Sequence, residues 1–310
     1  MRIVISEFMD DRAVAMLASR FDVCYDRTLV EREEELRQSL ANADALIVRN
    51  RTQVTAALID TAPKLFVVGR LGVGLDNIDV PACAARGITV IPATGANAQA
   101  VAEYVITAAM VLLRGAYGSM REVADGEWPR GALSNGRELS GKTLGVIGFG
   151  SIGRVTGRIA RLLGMRVVGF DANLPMTSAV WADEATGGRT LDQLLAEADV
   201  VTLHVPLTPE TRNLIDVAAL AKMKPDAILI NTARGGVVDE AAVANALRAG
   251  RLGGAALDVF DHEPLAAASP LAHCPNLLLT PHVAGVTRES NVRVSVLIAE
   301  KVAVALLARN

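Results

Sequence analysis

The sequence predicts an α/β protein built from two doubly wound parallel sheets in series. Two observations carry this. Short β-rich runs alternate with helix-patterned segments along the whole chain, which is the signature of parallel strands joined by crossover helices. The chain has 310 residues, more than one typical core accommodates.

The first series reads in order. Ile3–Ser6, Asp22–Tyr25, Ala45–Arg49, Phe66–Gly69 and Thr89–Ile91 read as strands; each is a short, β-rich run. Arg12–Arg20, Glu31–Ala43, Ala56–Thr61 and Val80–Arg86 read as the helices between them. A proline-free stretch, Ala98–Ala124, then predicts one long helix. The loop 125–140 holds Gly126, Pro129, Gly131 and Gly136. In the second series, strands are expected at Thr143–Ile147, Arg166–Phe170, Val200–His204, Ala227–Asn231, Gly254–Asp258 and Leu277–Leu279. Helices are expected at Ile152–Leu163, Leu191–Glu197, Ala218–Lys222 and Glu240–Ala249. A last helix, Arg288–Leu307, is expected to return to the first series. The domains are therefore read as 1–97 plus 286–310, and 98–285.

Bulk composition narrows the function classes. Apolar residues make up 51% and charged residues 21%, and the net charge is -3, so no broad basic field invites nucleic acid or an anionic membrane. The apolar N-terminal run is too short for a signal peptide, and the run Tyr104–Leu113 is far below a membrane span. Cys24, Cys83 and Cys274 are few and scattered, which fits free thiols in a reducing cytoplasm and no metal site.

Gly148-Phe149-Gly150-Ser151-Ile152-Gly153 forms a G-x-G-x-x-G between a strand and a helix. The glycines permit a tight turn and close approach of a pyrophosphate to the helix N-terminus. An acid is expected about twenty residues on, and Asp171 stands there, ending Val167–Phe170. Its carboxylate suits a ribose diol and repels a 2′-phosphate. No Arg or Lys follows in Ala172-Asn173-Leu174, which favours NAD over NADP.

Hydride chemistry at a C–H bearing a hydroxyl needs a base, a cation for the substrate carboxylate, and a group that steadies the base. Histidine suits the first task, the planar fork of arginine the second, and a carboxylate the third. Four histidines are available: His204, His262, His273 and His282. His204 ends an apolar strand, His262 lies in a polar turn, and His273 in a loop. His282 follows the strand Leu277–Leu279, at the carboxyl end where such sheets bind ligands, and leads by position. Arg234 follows another apolar strand, beside Gly235 and Gly236, and Glu263 precedes Pro264 in a turn.

Thr232-Ala233-Arg234-Gly235, Asp258-Val259-Phe260 through Glu263-Pro264, and Thr280-Pro281-His282 through Gly285 together resemble the signatures of the D-isomer-specific 2-hydroxyacid dehydrogenase family, in the family's order and spacing. The resemblance covers nearly the whole chain. It implies a Rossmann NAD domain inserted into a flavodoxin-like substrate domain, and a homodimer formed around the Ala98–Ala124 helix. It implies that Arg234 binds the substrate carboxylate and carbonyl, that His282 is the general acid/base, and that Glu263 pairs with His282. Asp258 would contact the nicotinamide end and Asp171 the adenine ribose. Gly148, Gly150, Ser151, Ile152 and Gly153 would surround the pyrophosphate. His204, Val205, Pro206, Thr211, Thr232, Ala233 and Gly285 would line the cofactor cleft together with Arg234 and His282.

Within the family the first domain is most similar to 3-phosphoglycerate dehydrogenases, through Ala45–Arg49 followed by Thr52 and through the run from Val68 to Asp79. Gly72, Val73 and Gly74 would offer backbone N–H groups to the substrate carboxylate. Arg49 and Arg70 would suit a second anion on C3. A regulatory domain is not expected, nor is feedback through one. The segment Ala93-Thr94-Gly95-Ala96 departs from the phosphoglycerate pattern, which makes 3-sulfolactate a competing substrate. A glyoxylate or hydroxypyruvate reductase is a further alternative, and an NAD-sensing corepressor is one from another class. The formate dehydrogenase branch is disfavoured, because its pattern carries Gln where this chain has Glu263.

Overall fold

The computed structural model describes residues 1–309. The chain divides into two compact units: Met1–Asn97 with the C-terminal segment from Val286, and Ala98–Gly285 between them in sequence.

The first unit contains strands β1 (Arg2–Ile5), β2 (Asp22–Tyr25), β3 (Ala45–Val48), β4 (Val67–Arg70) and β5 (Thr89–Pro92). They pair in the order β2-β1-β3-β4-β5, all parallel, which is the flavodoxin-like winding. The alternation of side chains along each strand divides the core into two layers. Val4, Leu46, Val48 and Val68 meet Leu36, Leu40, Leu58 and Cys83 from the helices Glu33–Leu40, Ala56–Asp60 and Val80–Ala85. Ile3, Ile5, Ile47 and Val67 meet Leu17 of helix Asp11–Ala18 and Ile298, Val302 and Leu306 of the terminal helix Arg288–Leu307. The terminal helix needs Gly69 beneath it: a Cβ there would lie 2.8 Å from both Ile298 and Val302.

The second unit contains β6 (Thr143–Ile147), β7 (Arg166–Phe170), β8 (Gly187–Gly188), β9 (Val200–Leu203), β10 (Ile228–Asn231), β11 (Gly254–Leu257) and β12 (Leu277–Leu279). The order β12-β11-β10-β9-β6-β7-β8 is again all parallel. The chain therefore winds outward from β6 in both directions, as in a Rossmann sheet, with one added strand. Helices Ala98–Arg114 and Ser151–Leu162 cover one face, and Leu191–Glu197, Val217–Lys222 and Glu240–Arg248 the other.

The long helix expected over Ala98–Ala124 is broken. It ends at Arg114, and a 3-10 turn (Ala116–Ser119) and a short helix (Met120–Ala124) continue at 72° to it. The reason is Gly115, whose φ of 68° is left-handed and stops an α-helix. A short helix (Ala179–Asp183) and β8 also lie where no regular element was expected. They are anchored by buried Trp181, whose ring stands 4.9 Å from that of Phe149. No single helix among the described residues is long and apolar enough to cross a membrane.

Candidate active site

Strand register builds the site in the second unit. Leu279, Leu257, Asn231, Leu203, Ile147 and Phe170 are paired neighbours at the carboxyl ends of β12, β11, β10, β9, β6 and β7. The residues that follow these ends therefore stand in a row, about 5 Å apart per strand. They are His282, then Asp258 with Glu263, Thr232 with Arg234, His204, the glycine loop, and Asp171. The sequence scatters them over more than a hundred positions, and parallel pairing makes them one edge.

The glycine loop is sterically committed. A Cβ on Gly153 would sit 2.3 Å from the Gly148 carbonyl oxygen. One on Gly148, at φ +90°, would sit 2.6 Å from that of His204. At Gly150 a Cβ would meet no described atom within 4 Å, so that face of the loop is open at the start of helix Ser151–Leu162. The first-turn N–H groups of such a helix have no intrahelical acceptors and carry the positive end of its dipole. Asp171 ties this loop to β7: Oδ2 accepts from the Phe149 N–H at 2.8 Å and Oδ1 from Asn173 N–H at 2.9 Å. Each oxygen retains a lone pair for a diol. Thr232 Oγ1 is buried and has no hydrogen-bond partner among the described residues. An orphaned hydroxyl in the same strand-end row as an open glycine loop fits a bound dinucleotide, because a buried polar atom without a partner is costly.

His204 lies at the middle of the row. Burial pushes its imidazole down to about 3, so it is neutral at physiological pH, and Nε2 shares a 3.1 Å hydrogen bond with Thr202 Oγ1. Thr211 does local work, donating from Oγ1 to the Pro206 carbonyl at 2.7 Å and closing the loop that carries Val205 and Pro206.

At the other end, Nδ1 of His282 stands 2.9 Å from Oε2 of Glu263, and Oε1 of Glu263 accepts from Phe260 N–H at 3.2 Å. The pair is half-exposed, at 49% and 38% of the side chains, so a substrate can reach the imidazole. His282 has a left-handed φ of 55°, which is uncommon and strained for a non-glycine residue. Two bonds from its N–H hold it, to the carbonyls of Asp258 at 2.8 Å and Thr280 at 3.0 Å. Arg234 is placed by a turn that Asn231 staples: its carboxamide donates to Arg234 O at 2.9 Å and accepts from Ala233 N–H at 3.0 Å. Arg234 Nη1 also donates to Ala233 O at 2.6 Å.

Asp258 is 1% exposed, and its carboxylate accepts from Thr280 Oγ1 at 2.6 Å and from the N–H groups of Val283 and Ala284 at 2.9 Å each. Its visible work is to hold the loop that carries His282. Tyr104 extends this chain: its hydroxyl lies 2.6 Å from Thr280 Oγ1 and, since that oxygen donates to Asp258, Tyr104 donates to Thr280. Burial, with the nearby charge of Asp258, pushes the Tyr104 phenol up and keeps it protonated. Sequence reasoning missed Tyr104 and Asn231. Nothing local marks Tyr104, whereas an Asn at the end of an apolar strand is a turn signal.

The predicted substrate residues Arg49, Arg70 and Gly72–Gly74 lie in the first unit. Arg70 Nη1 donates to Leu71 O at 3.0 Å and lies over Gly72, where a Cβ would sit 1.5 Å from it. Gly72 N–H is committed to the Arg70 carbonyl at 2.8 Å. The backbone donors of this turn thus reduce from three to those of Val73 and Gly74.

A glycine loop on a helix N-terminus, a ribose-type aspartate and a carboxylate-steadied histidine in one row define a nucleotide-dependent dehydrogenase. Comparison with known proteins gives the family. Residues 106–284 match the D-isomer specific 2-hydroxyacid dehydrogenase, NAD binding domain. An (S)-sulfolactate dehydrogenase of Chromohalobacter salexigens is 54% identical over 293 residues, 94% of each chain. A D-3-phosphoglycerate dehydrogenase of Synechocystis sp. is 39% identical over 99% of this chain, which spans only 54% of that protein. A Thermus thermophilus protein of known crystal structure superposes with a TM-score of 0.88 at 35% identity, over 99% of this chain and 97% of its own. The chain belongs to the D-isomer specific 2-hydroxyacid dehydrogenase family. It is an NAD-dependent oxidoreductase acting on the CH–OH group of 2-hydroxy acids.

Proposed function

We propose that the substrate is a D-2-hydroxy acid with a sulfonate on C3, 3-sulfolactate. The observation that carries this is the 54% identity to an (S)-sulfolactate dehydrogenase across 94% of both chains. The likeness of the first domain to 3-phosphoglycerate dehydrogenases points first to a phosphoglycerate-like acid, with the sulfonate as an alternative. The phosphoglycerate relative is more distant and nearly twice as long. The descriptor S agrees with a family named for D isomers. At C2 of sulfolactate the sulfur-bearing C3 outranks the carboxyl carbon, whereas in lactate the carboxyl outranks the methyl. The same spatial arrangement is therefore S in one and R in the other.

NAD, when bound, supplies the hydride acceptor. The chain's residues do the rest. Arg234 grips the substrate carboxylate with its planar fork and polarises the forming carbonyl. His282 takes the C2 hydroxyl proton as the C–H bond gives up its hydride. Glu263 keeps the imidazole oriented, with Oε2 facing Nδ1 and Nε2 left to take the proton. Arg49 and Arg70 answer the sulfonate.

The test is NADH formation against 3-sulfolactate, D-3-phosphoglycerate, glycerate and lactate. A kcat/KM highest for 3-sulfolactate is expected. A preference for phosphoglycerate would restore the phosphate reading, and a preference for glycerate or lactate would remove the C3 anion from the account.

A homodimer is supported by Tyr117, Met120 and Trp128, which are 57%, 73% and 77% exposed; exposed apolar side chains clustered in one segment mark contact surfaces. Light scattering of Trp128→Glu with Met120→Glu should give a monomer where the parent gives a dimer; a monomeric parent would refute it. A cytoplasmic location is supported by three free thiols, Cys24, Cys83 and Cys274.

A further inference from the structure

The winding of the first sheet reverses between β1 and β3, and ligands of such sheets bind at the carboxyl ends of the strands at that reversal. Glu7 follows β1 and Arg49 follows β3, so both stand there. They line one cleft of about 550 Å³ with Phe8, Asn50, Arg51 and Asn291.

Glu7 is only 4% exposed, yet it is a carboxylate. Its oxygens converge on four successive backbone N–H groups of the turn after β3. Oε1 accepts from Arg49 at 2.9 Å and Thr52 at 3.0 Å; Oε2 accepts from Asn50 at 3.3 Å and Arg51 at 3.1 Å. Two of the turn's carbonyls are held by a second side chain. Asn77 Nδ2 donates to Thr52 O at 2.7 Å and to Arg49 O at 3.4 Å. Ser6 and Thr52 hydroxyls add a buried bond of 2.9 Å. Successive N–H groups that converge in this way form an anion-binding nest, and here the chain fills its own nest.

The side chain this turn projects is Arg49. Its Nη2 donates to Asn291 Oδ1 at 2.9 Å, and its guanidinium lies 5.7 Å from the Phe8 ring centre. Burial favours loss of its charge, and the Glu7 charge opposes that. Phe8 is the next residue after Glu7, so one dipeptide sets both the backbone of Arg49 and the ring beneath its guanidinium.

We infer that Glu7 is a positioning residue for recognition of the C3 anion. It touches no substrate itself and works by fixing where Arg49 presents its charge. This rests on the reading of Arg49 given under Proposed function. A glutamine at position 7 keeps the shape but turns one oxygen into an NH₂ group. Two of the four N–H donors then face a donor, and Arg49 loses its fixed backbone.

The experiment compares the parent, Glu7→Gln, Arg49→Gln and the double variant as holoenzymes with NAD. Its readout is the ratio of kcat/KM for 3-sulfolactate to kcat/KM for glycerate, because loss of fold lowers both together and leaves the ratio standing. Glu7→Gln should lower the ratio by roughly ten- to a hundredfold, the scale of a misplaced binding group. With Arg49 already replaced, Glu7→Gln should change it less than about twofold, as for two residues acting through one contact. If Arg49→Gln lowers the ratio and Glu7→Gln leaves it intact, or if their effects simply multiply, Glu7 is not acting through Arg49. If Arg49→Gln leaves the ratio unchanged while Glu7 is intact, the reading of Arg49 itself fails, and this inference with it. Should Glu7→Gln not yield folded protein, Glu7→Asp carries the same test, since it keeps the charge and withdraws it by one methylene.

Discussion

Replacing Glu263 by Gln tests the centre of the proposed chemistry with the smallest change of shape. Glu263 makes two visible bonds, from Oε2 to His282 Nδ1 at 2.9 Å and from Oε1 to Phe260 N–H at 3.2 Å. A carboxamide serves one of these with its oxygen and presents NH₂ to the other. Orienting the amide for His282 thus sets a donor against Phe260 N–H. Its neutral head also no longer stabilises the imidazolium that forms as the C2 proton is taken. Both side chains are more than a third exposed, so solvent screens the charge term to about 1 kcal/mol. As the imidazole becomes charged, its bond from Nδ1 would strengthen against a carboxylate more than against a neutral amide oxygen, which adds about 1 kcal/mol. About 2 kcal/mol at the transition state corresponds to kcat lower by roughly thirtyfold. The assay is steady-state NADH formation with 3-sulfolactate over a range of pH, with NAD affinity measured separately. NAD affinity should stay within about twofold of the parent, since Glu263 lies at the His282 end of the strand row and not at the glycine loop. A Gln variant that keeps the parent's kcat at every pH would refute the pairing as a source of rate.

Three other outcomes follow from named contacts. His282→Ala should lower kcat by about three orders of magnitude, the middle of the range for a general base, while NAD titration by fluorescence stays near the parent value. Gly153→Ala puts a methyl 2.3 Å from the Gly148 carbonyl, so both the melting temperature and NAD affinity should fall; Gly150→Ala meets open space, so it should spare the melting temperature and still weaken NAD. The third outcome concerns acid. Burial works against ionisation of Glu7, but the N–H groups of Thr52, Arg49 and Arg51 outweigh it and hold the carboxyl below its ordinary 4.5. A depressed carboxylate stabilises the fold fully above 4.5 and loses that contribution as pH falls towards its folded value. Asp199, held by Thr143 N–H and Lys224 against its burial, acts in the same sense. Thermal melts should therefore weaken steeply below about pH 4.5, and less steeply in Glu7→Gln.

The linear sequence determined what can be written in short periods and fixed spacings. Strands such as Ala45–Val48 and Ile228–Asn231 are legible because burial on both faces demands an unbroken apolar run. The loop Gly148–Gly153 is legible because backbone approach excludes side chains at fixed intervals, and Arg234, Glu263 and His282 stand out because their signatures are local. The tertiary structure alone decided which strand lies beside which. That order puts His282 next to Glu263 and both at the end of a row that begins at Asp171. It also supplied the anchors. Asp258 holds Val283 and Ala284 across 25 and 26 residues, and Glu7 holds the turn 49–52 across 42 to 45. A buried carboxylate and the N–H groups it satisfies must both leave water, so each needs the other in space. Nothing requires them to be near in sequence, and no periodicity records the pair. The helix break at Gly115 lies between the two cases. The glycine was visible, but whether it bends a helix or merely weakens it depends on what packs around it.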